Sequence, residues 1–104
     1  MSFRIEWSRD AEEDLLRLYD HILIRELERE GDLDLAQQAV EAIRHSVNSL
    51  KRAPFVYRKV GESPFWRELV IPFARTGYVA IFEIMSETRV VVTAVRHQRE
   101  DDYH

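Results

Sequence analysis

The sequence predicts one α+β domain in which a helical hairpin covers one face of an antiparallel sheet, in the order β-α-α-β-β-β. Three observations support this prediction. The first residues alternate apolar with charged side chains, two long stretches with helical spacing follow, and the second half holds three segments rich in β-branched and aromatic residues. Because 104 residues leave room for a single core, residues 1–104 are expected to form one domain.

The first strand and the first helix are read from two different periodicities. Phe3 to Trp7 alternates apolar and charged residues, which is typical of a short, half-buried strand. Ser8 or Asp10 can then cap a helix that runs to about Arg29. Gly31 is expected to end it by taking the left-handed conformation. The apolar stripe of this helix comprises Ala11, Leu15, Leu18 and Ile22.

The second helix follows after a short turn, so the two helices are expected to form an antiparallel hairpin. It begins near Asp32 or Asp34 and stops before Ala53, because Pro54 disfavours helix at the residue that precedes it. Its apolar face comprises Ala36, Ala39, Val40, Ile43, Val47 and Leu50.

The rest of the chain is predicted to be a loop followed by three strands. The loop is Phe55–Pro64, and the strands are Trp66–Phe73, Tyr78–Ile84 and Val90–Val95. Pro72 is expected to weaken or bulge the end of its strand. The connections between these strands are too short for parallel crossovers, so the strands form an antiparallel meander. The last strand is apolar on both faces and is expected inside the sheet, with the N-terminal strand at an edge.

Composition and charge exclude several classes of function. The net charge is −4, and acidic residues outnumber basic ones two to one in residues 1–50, which speaks against generic coating of nucleic acid. There is no cysteine, and neither His21 nor His45 has partners at metal-ligand spacing, so no metal and no cofactor are expected. The apolar runs are too short to span a bilayer and the charged N-terminus does not resemble a signal peptide. A cytoplasmic location without membrane contact is expected.

The candidate functional residues are a set on and around the sheet. They are Arg58, Lys59, Arg67, Arg75, Arg96, His97, Arg99 and Tyr103. Such groups can stabilise charge and move a proton in RNA cleavage, or they can clamp an acidic protein partner without chemistry. A third reading is a C-terminal tail that is merely charged and solvated. The residues alone leave these alternatives open. The uncovered sheet face is expected to display the function.

Four features carry a resemblance to a known family. They are the predicted element order, the segment Trp66–Phe73, the Gly77-Tyr78 pair and the closing run Val95–Tyr103. Together they resemble the RelE/ParE superfamily of toxins, which belong to type II toxin–antitoxin modules of bacteria. The resemblance spans essentially the whole chain and implies the RelE/ParE toxin fold. It also implies one of two activities: ribosome-dependent cleavage of mRNA in RelE-like members, or inhibition of DNA gyrase in ParE-like members.

Matching residue by residue gives a mixed picture. Tyr103 matches the terminal tyrosine of the nuclease pattern, and Arg99 lies in its basic C-terminal run. However, Val79 stands where nucleases have an arginine directly after Gly-Tyr, and His97 stands near a C-terminal arginine of that pattern.

The lysines expected on the preceding strand are also absent, with only Arg67 and Arg75 as substitutes. Losing fixed cations removes stabilisation of the cleavage transition state. The ParE-like branch is therefore favoured, and a RelE-like endoribonuclease using Arg67, Arg75, Arg99 and Tyr103 is the alternative.

The favoured branch implies a protein that is not an enzyme. It would bind DNA gyrase so that cleaved DNA complexes persist, and a cognate antitoxin would neutralise it. An acidic amphipathic antitoxin tail would match the basic surface by charge, so reversing Arg96 and Arg99 to glutamate is expected to weaken antitoxin binding. The ribosome and mRNA are the partners in the alternative. The residues expected to bind target or antitoxin are Arg67, Arg75, Arg96, His97, Arg99 and Tyr103.

Overall fold

A computed structural model describes residues 2–98 and shows two helices packed on a five-stranded mixed sheet. The elements are β1 (Arg4–Trp7), α1 (Arg9–Glu28), α2 (Leu35–Asn48), β2 (Arg58–Lys59), β3 (Trp66–Phe73), β4 (Thr76–Ile84) and β5 (Arg89–His97). Two 3₁₀ turns, Ser49–Lys51 and Pro54–Val56, lie between α2 and β2. The strand order is β1-β5-β4-β3-β2. The predicted α+β class, with a helical hairpin beside a sheet, is confirmed.

The helical hairpin forms where its apolar spacing predicts. The hydroxyl of Ser8 accepts the Ala11 N–H at 3.1 Å and caps α1. The prediction that Gly31 takes the left-handed conformation is wrong, since Glu30 has the positive φ, 52°, instead. Gly31 is needed for space: a Cβ there would collide with the carboxylate of Glu26. That carboxylate, 2% exposed, accepts the Asp32 N–H at 3.2 Å and so ties the turn to α1.

The core lies between the hairpin and one sheet face. The largest fully buried apolar side chains are Phe82, Ile43, Leu50, Ile71, Val47, Val90 and Val92. The predicted faces of both helices are confirmed for Ala11, Leu15, Ile22, Ala36, Ala39, Ile43, Val47 and Leu50. Burial of such side chains is the dominant favourable term in folding, so the apolar spacing along the chain determines which helix faces turn inward.

The sheet differs from the prediction at its two edges. As expected, β1 is an edge strand and β5 lies inside, but β1 pairs with β5 in parallel, with Ile5 opposite Val90. The long connection through both helices makes this parallel pairing possible, so the sheet is mixed rather than antiparallel. At the other edge, β2 lies within the predicted loop, because Arg58 and Lys59 are exposed and give no apolar alternation.

Two expectations about where strands bulge and end are also wrong. Pro72 stays in register opposite Gly77, and the register shift lies instead between Ile81 and Phe82. The proline is tolerated because β2 pairs only with the first residues of β3, which leaves that edge unpaired further along. β5 continues through His97, so two residues predicted to follow the strand belong to it. Neither helix within residues 2–98 is long and apolar enough to cross a membrane.

Candidate binding site

A cleft of about 810 Å³ lies between α1 and the end of the sheet where β4 begins and β5 ends. One wall is α1, and the other wall is formed by the two strands. The floor between them is apolar and consists of Leu18, Ile22 and Val95. We refer to the region around it as the cleft end of the sheet.

The α1 wall presents one face of the helix. Asp14, Arg17, His21 and Arg25 recur at spacings of three and four, which places them along one side. Asp14 is the one acidic residue among those described that line the cleft. Its Oδ2 accepts the Val95 N–H at 2.9 Å, and its Oδ1 pairs with Arg17. The carboxylate is therefore already occupied by the protein itself.

The strand wall is built from aromatic and polar side chains. Tyr78 is buried, and the His97 ring meets its edge with centroids 5.5 Å apart. His97 Nε2 lies 3.1 Å from the Thr76 hydroxyl oxygen. Burial raises the pKa of the Tyr78 hydroxyl, and the nearby positive charge of Arg25 opposes that shift.

The charge of the cleft is positive. Three arginines and one aspartate line it. Arg25 Nε lies 3.3 Å from Glu26, while its two terminal nitrogens make no hydrogen bond within residues 2–98. The exposed Arg96 guanidinium has no hydrogen bond or ion pair to any residue of that range. Arg25 and Arg96 thus retain donors for an external anion.

The predicted site residues do not form one cluster. Arg96 and His97 lie in the cleft, whereas Arg75 is exposed in the β3–β4 turn and does not line it. Arg67 lies on β3, where β5 is not a direct neighbour. Arg99 and Tyr103 lie outside the described residues.

Arg67 has a local structural role. Its guanidinium donates to the carbonyl oxygens of Phe55, Tyr57 and Pro64 at 3.0, 2.9 and 2.7 Å. Its Cζ also lies 5.4 Å from the ring centroid of Phe55. These contacts hold the loop between α2 and β3 against the sheet. We refer to this region, where β3 begins and β4 ends, as the loop end.

The loop end also carries an apolar depression of about 400 Å³. Phe55 and Phe65 line it with Met85, and all three side chains are exposed. The two phenylalanine rings meet edge to face at 6.4 Å. This end therefore differs in chemistry from the cleft end.

Sequence reasoning missed the α1 wall. His21 was considered only as a metal ligand and set aside, and neither Arg17 nor Arg25 was singled out. The available signal was the polar stripe that runs from Asp14 to Arg25 beside the apolar stripe of the same helix. The cleft also opens on the helix side of the sheet, whereas function was expected on the uncovered face.

Comparisons with known proteins fit this fold. The sequence profile of the ParE toxin of the type II toxin–antitoxin system parDE matches residues 5–102. A search of curated proteins finds no match. Among solved structures, the chain is similar to one from "Chromosomal ParDE TA system from P. aeruginosa", with a TM-score of 0.73 and 22% identity over 92% of this chain and 96% of that one.

A chain from "Crystal structure of the E. coli DinJ-YafQ toxin-antitoxin complex" has a TM-score of 0.46 and 13% identity, over 96% of this chain and 97% of that one. The likeness to the P. aeruginosa structure shows the fold, and the sequence profile shows the family. Since the profile covers nearly the whole chain, the protein belongs to the ParE toxin family of type II toxin–antitoxin systems.

Proposed function

We propose that this ParE-family toxin arrests growth by binding DNA gyrase in the cytoplasm, so that cleaved DNA complexes persist, and that it cuts no RNA. A cognate antitoxin neutralises it by binding its basic surface. Membership of the ParE family supports this proposal over the RelE-like alternative, in which the protein would be a ribosome-dependent endoribonuclease.

The observation that carries the proposal is the state of Arg67. It is the one basic residue of β3, the strand on which the nuclease pattern has lysines. A cleavage site needs preorganised cations that meet the charge developing on the phosphate. Nε and Nη1 of Arg67 already donate to three loop carbonyls, so a phosphate that engaged either nitrogen would have to displace those bonds.

The neighbouring positions support the same conclusion. Val79, where the nuclease pattern has an arginine, is buried on β4. Arg58 on β2 forms an ion pair with Glu68 on β3. A phosphate placed beside these strands would therefore meet an apolar side chain and a cation that is already neutralised.

The proposal is tested with purified protein in two parallel assays. One follows supercoiling and DNA cleavage by gyrase, and the other maps the ends of a translated mRNA by primer extension. We expect persistent gyrase-cleaved DNA and intact mRNA. Codon-phased cuts in the mRNA with normal supercoiling, abolished by Tyr103→Phe, would establish the endoribonuclease instead.

A further inference from the structure

Exposed apolar side chains gather at the loop end. Of the nine large apolar side chains that are exposed among residues 2–98, four lie in this region: Phe55, Val56, Phe65 and Met85. Phe55, Phe65 and Met85 line the depression of about 400 Å³ together with Ile84. Contiguous exposed apolar surface is uncommon on a monomeric protein, and it indicates a contact surface.

Val56 forms an apolar protrusion that follows Phe55 directly in the chain. Its side chain is 74% exposed, the highest value among these four residues. It lies in the 3₁₀ turn Pro54–Val56, and Arg67 Nη1 donates to the carbonyl oxygens on both sides of it, those of Phe55 and Tyr57. The turn is therefore held in place, so a partner that binds Val56 does not have to order this segment first.

Charges of both signs remain without partners in the same region. Glu83 and Glu87 line the depression, and neither carboxylate forms a hydrogen bond or ion pair with any residue of the range 2–98. The ammonium group of Lys59 in β2 also forms none within that range. The loop end therefore presents an apolar depression with acidic residues and, beside it, an apolar protrusion that is followed three residues later by a lysine.

We propose that the loop end is an interface between two copies of this chain that are related by a two-fold axis. A two-fold interface uses the same patch on both copies, so the patch has to be complementary to itself. The loop end meets this condition because it carries the depression and the protrusion side by side. Val56 of each copy lies in the depression of the other, and Lys59 of each copy faces Glu87 of the other.

The size of the patch predicts a weak dimer. A stable interface buries about 800 Å² on each partner, or roughly a tenth of the surface of a small protein. The accessible surface of this chain is 7034 Å², and four exposed apolar residues with a charged rim cover less than a tenth of it. We therefore expect a dissociation constant in the micromolar range.

Nucleic acid and anionic lipid fit the loop end less well than a second copy. Both carry negative charge, whereas the depression is lined by Glu83 and Glu87 and by no basic residue among residues 2–98. A second copy instead brings its own exposed Val56 and Lys59 to the depression.

The test measures the mass of the full chain by sedimentation equilibrium at concentrations from about 1 to about 200 µM. We expect the wild type to change from monomer to dimer over this range. Val56→Gln should raise the dissociation constant by about tenfold or more, because both copies lose an apolar contact. The matched control is Leu16→Gln, since Leu16 is 65% exposed on α1 outside the loop end, and its dissociation constant should stay within about twofold of the wild type.

A charge swap tests the pairing across the axis. Lys59→Glu and Glu87→Lys each place like charges opposite each other at two points, so each should raise the dissociation constant by about tenfold at low salt. Both residues are exposed and have no partner among residues 2–98, so both variants should retain the fold. The double variant Lys59→Glu/Glu87→Lys restores opposite charges, and its dissociation constant should return to within about threefold of the wild type.

Three results would overturn the proposal. The first is a wild type that stays monomeric at the highest concentration. The second is a dimer that Val56→Gln leaves as tight as Leu16→Gln does. The third is a double charge variant that dimerises as weakly as the two single variants, because it would show that these charges do not meet.

A different occupant of the loop end would give a different pattern. If the wild type stays monomeric while Val56→Gln, but not Leu16→Gln, loses inhibition of gyrase, the loop end is a surface for the target and the proposal is wrong. Because the sedimentation experiment involves no gyrase, a monomeric wild type leaves gyrase inhibition standing. A failure of gyrase inhibition likewise leaves the result on dimerisation intact.

Discussion

The two ends of the sheet use arginine in opposite ways. At the loop end, Arg67 donates to three carbonyl oxygens and Arg89 pairs with Glu6 at 2.9 Å, so both guanidinium groups hold parts of the protein together. At the cleft end, Arg96 has no partner within residues 2–98 and Arg25 keeps both terminal nitrogens without hydrogen bonds in that range.

This difference separates arginines that other parts of the protein already engage from arginines that are available to a ligand. A cation that is held by several local hydrogen bonds stabilises the fold and is a poor site for a ligand, since moving it onto the ligand must first break those bonds. A ligand can bind a cation that has unsatisfied donors without first breaking hydrogen bonds within the protein. The loop end instead offers exposed apolar surface at Phe55, Phe65 and Met85. Of the two ends, as far as residues 2–98 describe them, the cleft end combines positive charge with an apolar floor.

The largest expected effect is steric and concerns the cleft end. In Gly77→Ala, the new Cβ would lie 2.5 Å from the Ile71 carbonyl oxygen and 2.9 Å from Gln98 Oε1, so β3 and β4 would have to separate. We expect a loss of about 3 kcal/mol in the free energy of unfolding, or roughly 15 °C in Tm. Thermal unfolding followed by circular dichroism measures it.

The matched control is Gly61→Ala. Gly61 has a φ of 70° but nothing within 4 Å of a Cβ, so this variant should lose only about 1 kcal/mol from backbone strain. A loss in Gly77→Ala no larger than in the control would show that the close approach of the two strands is not the reason for this glycine.

The next largest effect is expected for a substitution of Arg67 at the loop end. Arg67→Ala removes three hydrogen bonds to loop carbonyls and should lower the free energy of unfolding by about 2 kcal/mol. Urea unfolding at neutral pH is the measurement. Arg75→Ala, in the exposed β3–β4 turn, should change it by less than about 0.5 kcal/mol. Equal stability of the two variants would contradict a structural role for Arg67.

A smaller effect is expected for the arginine at the cleft end. Because the Arg96 guanidinium has no partner among residues 2–98, Arg96→Ala should stay within about 0.5 kcal/mol of the wild type in the same urea titration. A loss as large as that of Arg67→Ala would remove the contrast between the two ends.

The smallest expected effect is a dependence of the free energy of unfolding on acidic pH, and it arises at the loop end. Hydrogen bonds from Arg89 at 2.9 and 3.1 Å lower the pKa of Glu6 below its ordinary 4.5, against a smaller opposing effect of burial. The stabilising contribution is therefore present above pH 4.5 and is lost as the pH falls through the lowered pKa. Unfolding titrations from pH 6 to pH 3 should show a shallower acid limb in Glu6→Gln. Identical slopes would show that this pair does not link β1 to β5 energetically.

The fold was predictable wherever the spacing of apolar residues along the chain indicates which side chains are buried. The stripes that contain Leu15 and Ile43 defined both helices, and the β-branched run before Arg96 defined the inner strand. The strand β2 was not predictable, because two exposed residues carry no such pattern. The parallel pairing of β1 was missed because nothing local in the sequence distinguishes the two directions of an edge strand.

The site was predictable only in part, because it is made by packing. Arg96 and His97 were identified from their own segment, whereas Arg25 becomes relevant only when α1 lies beside β5. Arg67 was a candidate because its chemistry is the same as that of Arg96. The sequence does not reveal that loop carbonyls occupy its donors. The binding roles predicted for the whole set stay predictions: Arg67, Arg75, Arg96, His97, Arg99 and Tyr103.

The central claim is that the toxin acts by binding gyrase and not by turnover. It is tested most directly by titrating the toxin against a fixed concentration of purified gyrase and following the initial rate of supercoiling. We predict that inhibition rises with toxin and saturates when toxin and gyrase are near equal concentration. Full supercoiling activity at a large excess of toxin, with translated mRNA cleaved at toxin concentrations far below that of the ribosomes, would contradict the claim.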